Sequence, residues 1–327
     1  MPEDDPIQSA RKCFFSAFSK DSTASETLPL GRAKDRVLAS DLEAAIDDPP
    51  YGRSIMEGYV AYVSDLEAAS ESAPVTLEVA GAIPVGQGHA EGLAEGKVLQ
   101  VNTGSFIPQG GFGVLRAWDV EQQGKRIIVS KPLKKKENIE VQGEIRAKGT
   151  PLLGKGHRVN SDDIFLLASQ GMTEVSVACR PKVALFSSGN EVIPPDAPFQ
   201  VGGIWDCNQY GLASLIEEAG GIPEFKGIMK DDFSGFVKAL KAALETADMI
   251  VISGGTVAEN RAFSADLLDA VGPPGTVVQG IPMRSGKPIV LGVSGGKPIV
   301  CVAGHPPEAA RGFRLFGLPA IEYLMGK

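Results

Sequence analysis

Asp248-Met249-Ile250-Val251-Ile252-Ser253-Gly254-Gly255-Thr256 is the stretch on which the fold turns. Its apolar run reads as a buried strand, Ser253-Gly254-Gly255 breaks it, and a helical pattern follows from about Ala262, with Phe263 to Val271 as the helix. A strand–glycine–helix joint brings backbone N–H groups close to an anion at the helix start. The stretch therefore predicts an α/β fold and a phosphate-bearing ligand. The loop between, Val257-Ala258-Glu259-Asn260-Arg261-Ala262, offers binding groups but no obvious catalytic acid.

The same alternation extends on either side of this joint. Val183–Phe186, Pro223–Ile228, Pro288–Leu291 and Pro298–Val302 read as further strands. Tyr210–Ala219, closed by Gly220-Gly221, Asp232–Thr246 and Pro307–Leu324 read as helices. Near-continuous apolar strands separated by helices predict a parallel sheet covered on both faces. Ligands of such sheets sit beyond the C-terminal ends of the strands.

Residues 51–141 have a different texture. Glycines are frequent, and Val75–Val79, Lys97–Val101 and Arg126–Val129 read as short strands of a mixed β domain. Before it, Ser9–Phe18 and Leu30–Ile46 read as two helices, stopped by Asp47-Asp48-Pro49-Pro50. After it, a helix begins at Ser161, read as its N-cap, with Asp162 and Asp163 at the positive end of the dipole. The expected division is an elongated helical linker domain (1–50 with 142–179), the mixed β domain (51–141) and a three-layer α/β domain (180–327).

The chain has 327 residues, 43% of them hydrophobic, so it has material for two or three cored domains. A net charge of -8 argues against nucleic acid or an anionic membrane as the main partner. The one basic run, Lys131 with Lys134–Lys136, reads as a solvated face. Cys13, Cys179, Cys207 and Cys301 show no paired spacing, and the last three read as small packed hydrophobes. With three histidines they give no metal signature. The acidic N-terminus has no apolar stretch, so no leader is expected, and no apolar run reaches the roughly twenty residues of a membrane span, so a cytoplasmic protein is expected.

Four polar loops follow the α/β strands or precede a helix there: Ser187-Ser188-Gly189-Asn190-Glu191, Asp206-Cys207-Asn208, Ser253-Gly254-Gly255-Thr256 and Gly304-His305-Pro306. Asp206 or Asn208 caps the next helix. Together the loops can line one rim for a polyanionic ligand.

In order, these pieces resemble the motifs of the MoeA family, the molybdopterin molybdenumtransferases of molybdenum-cofactor assembly. Asp47–Val60 resembles D-x-P-x-x-x-x-S-x-M-D-G-Y-A, and Asn102–Pro108 resembles T-G-x-x-x-P. Ser188–Val192 resembles T-G-D-E-L, Asp206–Asn208 resembles D-S-N, and Ser253-Gly254-Gly255 opens S-G-G-x-S-x-G-x-x-D. Gly286-Lys287-Pro288 and Gly304-His305-Pro306 resemble P-G-K-P and P-G-N-P. The resemblance implies a dimer that binds adenylylated molybdopterin, inserts molybdenum from molybdate and releases AMP with the help of a divalent cation such as Mg²⁺. It also implies contact with other proteins of the pathway. Glu57, Glu191, Asp206, Glu259 and Asp266 are the candidate catalytic carboxylates, with Asp206 and Glu259 as metal ligands. Ser188, Gly189, Asn208, Ser253, Gly254, Gly255, Thr256, Lys287, Gly304 and His305 are the candidate ligand-binding residues.

The departures are as informative. Family acids fall on Asn190, Ala262, Phe112 and Ile145, and Glu57 replaces an aspartate. The family's small C-terminal β domain is expected to be absent, since the chain ends at Lys327. Neither alanine nor phenylalanine can replace a carboxylate as a metal ligand. If one helix spans Glu259, Ala262 and Asp266, the two acids share a face and can stand in; otherwise both face solvent. Two readings follow: a molybdenumtransferase with relocated acids, or a non-catalytic molybdopterin- or nucleotide-binding relative acting in delivery or regulation.

Overall fold

Short apolar runs between glycine-rich turns build a six-stranded sheet in residues 42–153, one of two units of the chain; the other comprises residues 1–41 and 154–327. The computed structural model describes residues 5–19, 24–230, 232–254, 263–281 and 289–327.

The strands of the first sheet are β1 (Gly58–Tyr62), β2 (Val75–Ile83), β3 (Lys97–Val101), β4 (Phe112–Arg116), β5 (Glu121–Gln123) and β6 (Arg126–Val129). Their order is β4-β1-β3-β2-β6-β5, antiparallel except for β2 beside β3. Alternation feeds two cores: Tyr59, Ala61, Leu115 and Ile127 enter one cluster, and Val60, Leu99, Val101 and Val114 the other. Gly58 starts β1 between two neighbours, and a Cβ there would lie 1.8 Å from the Leu115 carbonyl oxygen. In the same unit Asp47 accepts the Lys148 N–H and the Gln142 amide, both at 2.8 Å, which hold its carboxyl below the usual range.

The pattern over Leu30–Ile46 predicts a helix, but the structure forms only a 3₁₀ turn at Leu30–Arg32 and then extended chain. Asp35 adopts φ 64°, which no right-handed helix accepts. Val37 and Leu38 then bridge to Arg158 and Val177, and Leu42–Glu43 pairs with Pro151–Leu153. Leu30, Ala33, Val37 and Leu38 are buried, so the apolar spacing is real but belongs to a folded-over extended segment.

The second unit carries α1 (Pro6–Ser16), α2 (Ser161–Ser169), α3 (Asn208–Ala219), α4 (Phe233–Thr246), α5 (Phe263–Val271), α6 (Pro306–Gly312) and α7 (Leu318–Leu324). A π turn, Phe313–Gly317, joins the last two. Asn160, not Ser161, caps α2: its side chain accepts from the Asp162 and Asp163 N–H groups, and Asp163 returns a bond to the Asn160 N–H. Asn160→Ala is therefore expected to lower unfolding stability by about 1 kcal/mol, and Ser161→Ala to leave the urea midpoint in place.

The sheet of this unit has strands β7 (Lys182–Ser188), β8 (Ile222–Met229), β9 (Met249–Ser253), β10 (Pro274–Ile281), β11 (Ile289–Ser294) and β12 (Lys297–Val302), in the order β8-β7-β9-β12-β11-β10. The first four are parallel, as the strand–helix alternation predicts. Only β11 runs against them, because the two-residue turn Gly295-Gly296, at φ 58° and 77°, folds it back onto β12, and β10 pairs antiparallel with β11 at the end of the sheet. Strand β10 carries two glycines and a proline and is not apparent in the sequence pattern. Alternate strand residues pack on α1, α3, α6 and α7 over one face, through Phe14, Ile216, Ala309 and Ile321. The other face meets α4 and α5 through Phe236, Leu240 and Leu268, giving three layers. Cys301 lies in that second core, and burial pushes its thiol up to about 12. Cys207 is exposed just before α3, against its reading as a packed hydrophobe.

One irregularity in this sheet affects the site. Between Leu185 and Phe186 of β7 the partner on β8 jumps from Phe225 to Gly227, so Lys226 is an extra residue in the edge strand.

Candidate functional site

Parallel β7, β9 and β12 all end on one rim, and the polar loops follow directly. Ser187 of β7 stands in register with Ser253 of β9, and Ser253 with Val302 of β12. Gly254 follows at φ 93°, with its N–H donating to the Val302 carbonyl at 3.0 Å. A Cβ on Gly254 would meet the Ser188 carbonyl oxygen at 2.4 Å. The Asn208 amide, on the first turn of α3, donates to Ser253 Oγ and to the Gly304 carbonyl, each at 2.7 Å. One side chain thus joins three of the four loops. The Ser187 and Ser188 hydroxyls are buried beside this joint and meet no hydrogen-bond partner among the described residues. Such groups call for an acceptor, and together with the glycine joint they suit an anionic ligand.

Asp206 is 5% exposed and sits two residues before α3. Its Oδ1 accepts the Gln209 N–H at 3.1 Å and its Oδ2 accepts the Gln209 side-chain amide at 2.8 Å. The same amide reaches the Gly227 carbonyl at 3.1 Å, so Asp206 caps α3 and is held by the displaced part of β8. It borders a cleft of about 450 Å³ with Val192, Pro194, Tyr210, Ile228 and Lys230. Lys230 reaches back over the loop after β7, donating to the carbonyls of Gly189, Asn190 and Val192 at 3.4, 3.1 and 3.0 Å.

The rim therefore brings together Ser188, Gly189, Asn208, Ser253, Gly254 and Gly304. His305 is exposed and precedes α6, its carbonyl accepting the Ala309 N–H. Glu191 is exposed in the loop after β7, and Asp266 is exposed in the first turn of α5. Glu57 is exposed in the other unit, immediately before β1, its carbonyl accepting the Ala117 N–H. Gly255, Thr256, Glu259 and Lys287 lie outside the described residues. Among the described residues no three His, Cys, Asp or Glu side chains gather into a metal site. Gln209 and Lys230 were missed in the sequence; only the register of β8 on β7 and the buried turn of α3 reveal them.

A model described as "MoeA N-terminal region (domain I and II)" matches residues 6–171, and one described as "Probable molybdopterin binding domain" matches residues 184–323. The chain is 30% identical over 304 residues to the molybdopterin molybdenumtransferase of Nostoc sp., an alignment covering 92% of this chain and 70% of that protein. It is 29% identical over 304 residues to molybdopterin molybdenumtransferase 2 of Mycobacterium tuberculosis, covering 92% of this chain and 75% of the other. The structure superposes on a molybdopterin biosynthesis MoeA protein from Pyrococcus horikosii with a TM-score of 0.88 at 31% identity, covering 99% of this chain and 81% of that one. With the ordered motifs, both matched models and this shared fold, the chain belongs to the MoeA family.

Proposed function

We propose that this chain acts in molybdenum-cofactor biosynthesis by binding adenylylated molybdopterin on the rim of the α/β unit and inserting molybdenum with release of AMP. The observation that carries the reading is the Asn208 amide, which ties the loop after β9 to the loop after β12. That tie holds a glycine joint open beside two buried serine hydroxyls. Hydroxyls of this kind suit phosphate oxygens, and glycines without a Cβ let a ligand approach the joint closely. Ser188, Gly189, Ser253, Gly254 and Gly304 hold the ligand, Asn208 and Asp206 position the loops, and the cleft beside Asp206 receives part of it.

Molybdate and Mg²⁺ belong to this reading as companions of the ligand. The described carboxylates form no cage, since Asp206 is engaged by Gln209 and Asp266 is exposed, so no step is assigned to the cation. A cytoplasmic homodimer that hands its product to other proteins of the pathway completes the reading.

Incubating the purified protein with adenylylated molybdopterin, molybdate and Mg²⁺, and following AMP by chromatography, tests it. AMP appearing with repeated turnover is the expected result. Binding by calorimetry without AMP release assigns the chain to delivery or regulation instead. Absence of any binding overturns both.

A further inference from the structure

We propose that Lys230 is a positioning residue of this rim, its ammonium acting as a built-in monovalent cation that neutralises and fixes the loop after β7. The inference rests on the ligand reading above for its effect on binding, and on geometry alone for the cage itself.

An ammonium has three donors and no acceptor. Here three carbonyl oxygens of one loop, those of Gly189, Asn190 and Val192, converge on Lys230 Nζ within 3.4 Å. All three of these partners are backbone carbonyls. Convergent backbone carbonyls are the arrangement that replaces the water shell of a monovalent cation. Without the ammonium, three partial negative charges would crowd one point at the mouth of a cleft meant for a phosphate. With it, the loop is neutral on that side, and Ser188, Gly189 and Glu191 keep fixed positions.

The extra residue in β8 is what makes this contact. The register after it sets Met229 opposite Ser188, and the Gly189 N–H donates to the Met229 carbonyl at 3.1 Å. Residue 230 therefore emerges beside the loop it clamps. Lys230 is saturated by these carbonyls, so it serves the ligand through the loop and not by direct contact.

The test uses the full chain and Lys230→Met, which keeps the length of the stem. Two quantities are read: affinity for adenylylated molybdopterin by calorimetry, and hydrogen exchange of residues 189–192. The variant is expected to bind roughly tenfold or more weakly, the scale of losing hydrogen bonds to a charged group, with faster exchange confined to the loop. Ammonium chloride should restore both, and tetramethylammonium chloride at the same ionic strength should restore neither. Wild-type affinity and exchange in the variant overturn the proposal. So does a loss that ammonium fails to reverse and that comes with a lower global unfolding midpoint. If the wild-type protein binds no pterin, the functional reading fails, and loop exchange with its ammonium dependence decides the cage independently.

Discussion

Gly254→Ala should cost about 2–4 kcal/mol of unfolding stability and abolish ligand binding at the rim. The residue sits at φ 93°, where an L side chain is strained by about 1–2 kcal/mol. Its added methyl would also lie 2.4 Å from the Ser188 carbonyl oxygen, far inside contact distance. Neither partner can yield easily, because the Gly254 N–H is bonded to Val302 and Ser188 is paired along β8. Gly304 packs on the same point, its would-be Cβ 3.6 Å from Gly254 Cα. Relief must come from moving the joint itself, which is where the anion is proposed to sit. Urea unfolding and calorimetry on the variant check the two parts separately; a wild-type midpoint with wild-type affinity would show that the joint has room and the argument is wrong.

The second large effect concerns the other unit. In Gly58→Ala the new methyl would fall 1.8 Å from the Leu115 carbonyl oxygen and 3.0 Å from the Ala117 nitrogen. Strand β1 is paired on both sides, with Val101 and Arg116 opposite Gly58, so it cannot slide away. A cost of roughly 3 kcal/mol or more is expected, with new sites of limited proteolysis inside residues 42–153. If the proteolytic map is unchanged, the close approach of β1 and β4 does not hold in solution. This outcome also separates two neighbours within one motif. Gly58 is required for packing, whereas Glu57 beside it is exposed and its replacement is not expected to disturb the sheet.

Much of this was legible because local pattern and tertiary role agree. Lys97–Val101, Arg126–Val129 and Phe263–Val271 form with the bounds their apolar runs suggest, since each run is flanked by turn residues and has one dominant period. Leu30–Ile46 misleads for the opposite reason: its helical spacing of apolar residues is satisfied by bridges to distant segments, and Asp35 in the left-handed region is invisible to periodicity. The antiparallel end of the sheet is hidden in Gly295-Gly296 and in a strand rich in glycine and proline. At the site, the loops were readable because glycine and serine cluster after strands. The groups that hold those loops were not. Asn208 appeared as a cap or a ligand-binding residue, and its actual bonds reach residues 45 and 96 positions away. Gln209 and Lys230 carry no motif, and their roles follow from a one-residue shift between strands.

That shift has a consequence beyond the site. Strand β8 ends the sheet, with β7 on one side and no strand of the described residues on the other. An open strand of eight residues, with Phe225 exposed, is a template for fibre-like stacking between chains. Three features spoil the template: Pro223 lacks an N–H, Lys226 interrupts the straight run, and Glu224 and Lys226 place paired charges 2.9 Å apart on it. The residue that turns the Gly227 carbonyl toward Gln209 therefore also blunts the edge, so the support of the binding rim and resistance to aggregation are built into the same bulge.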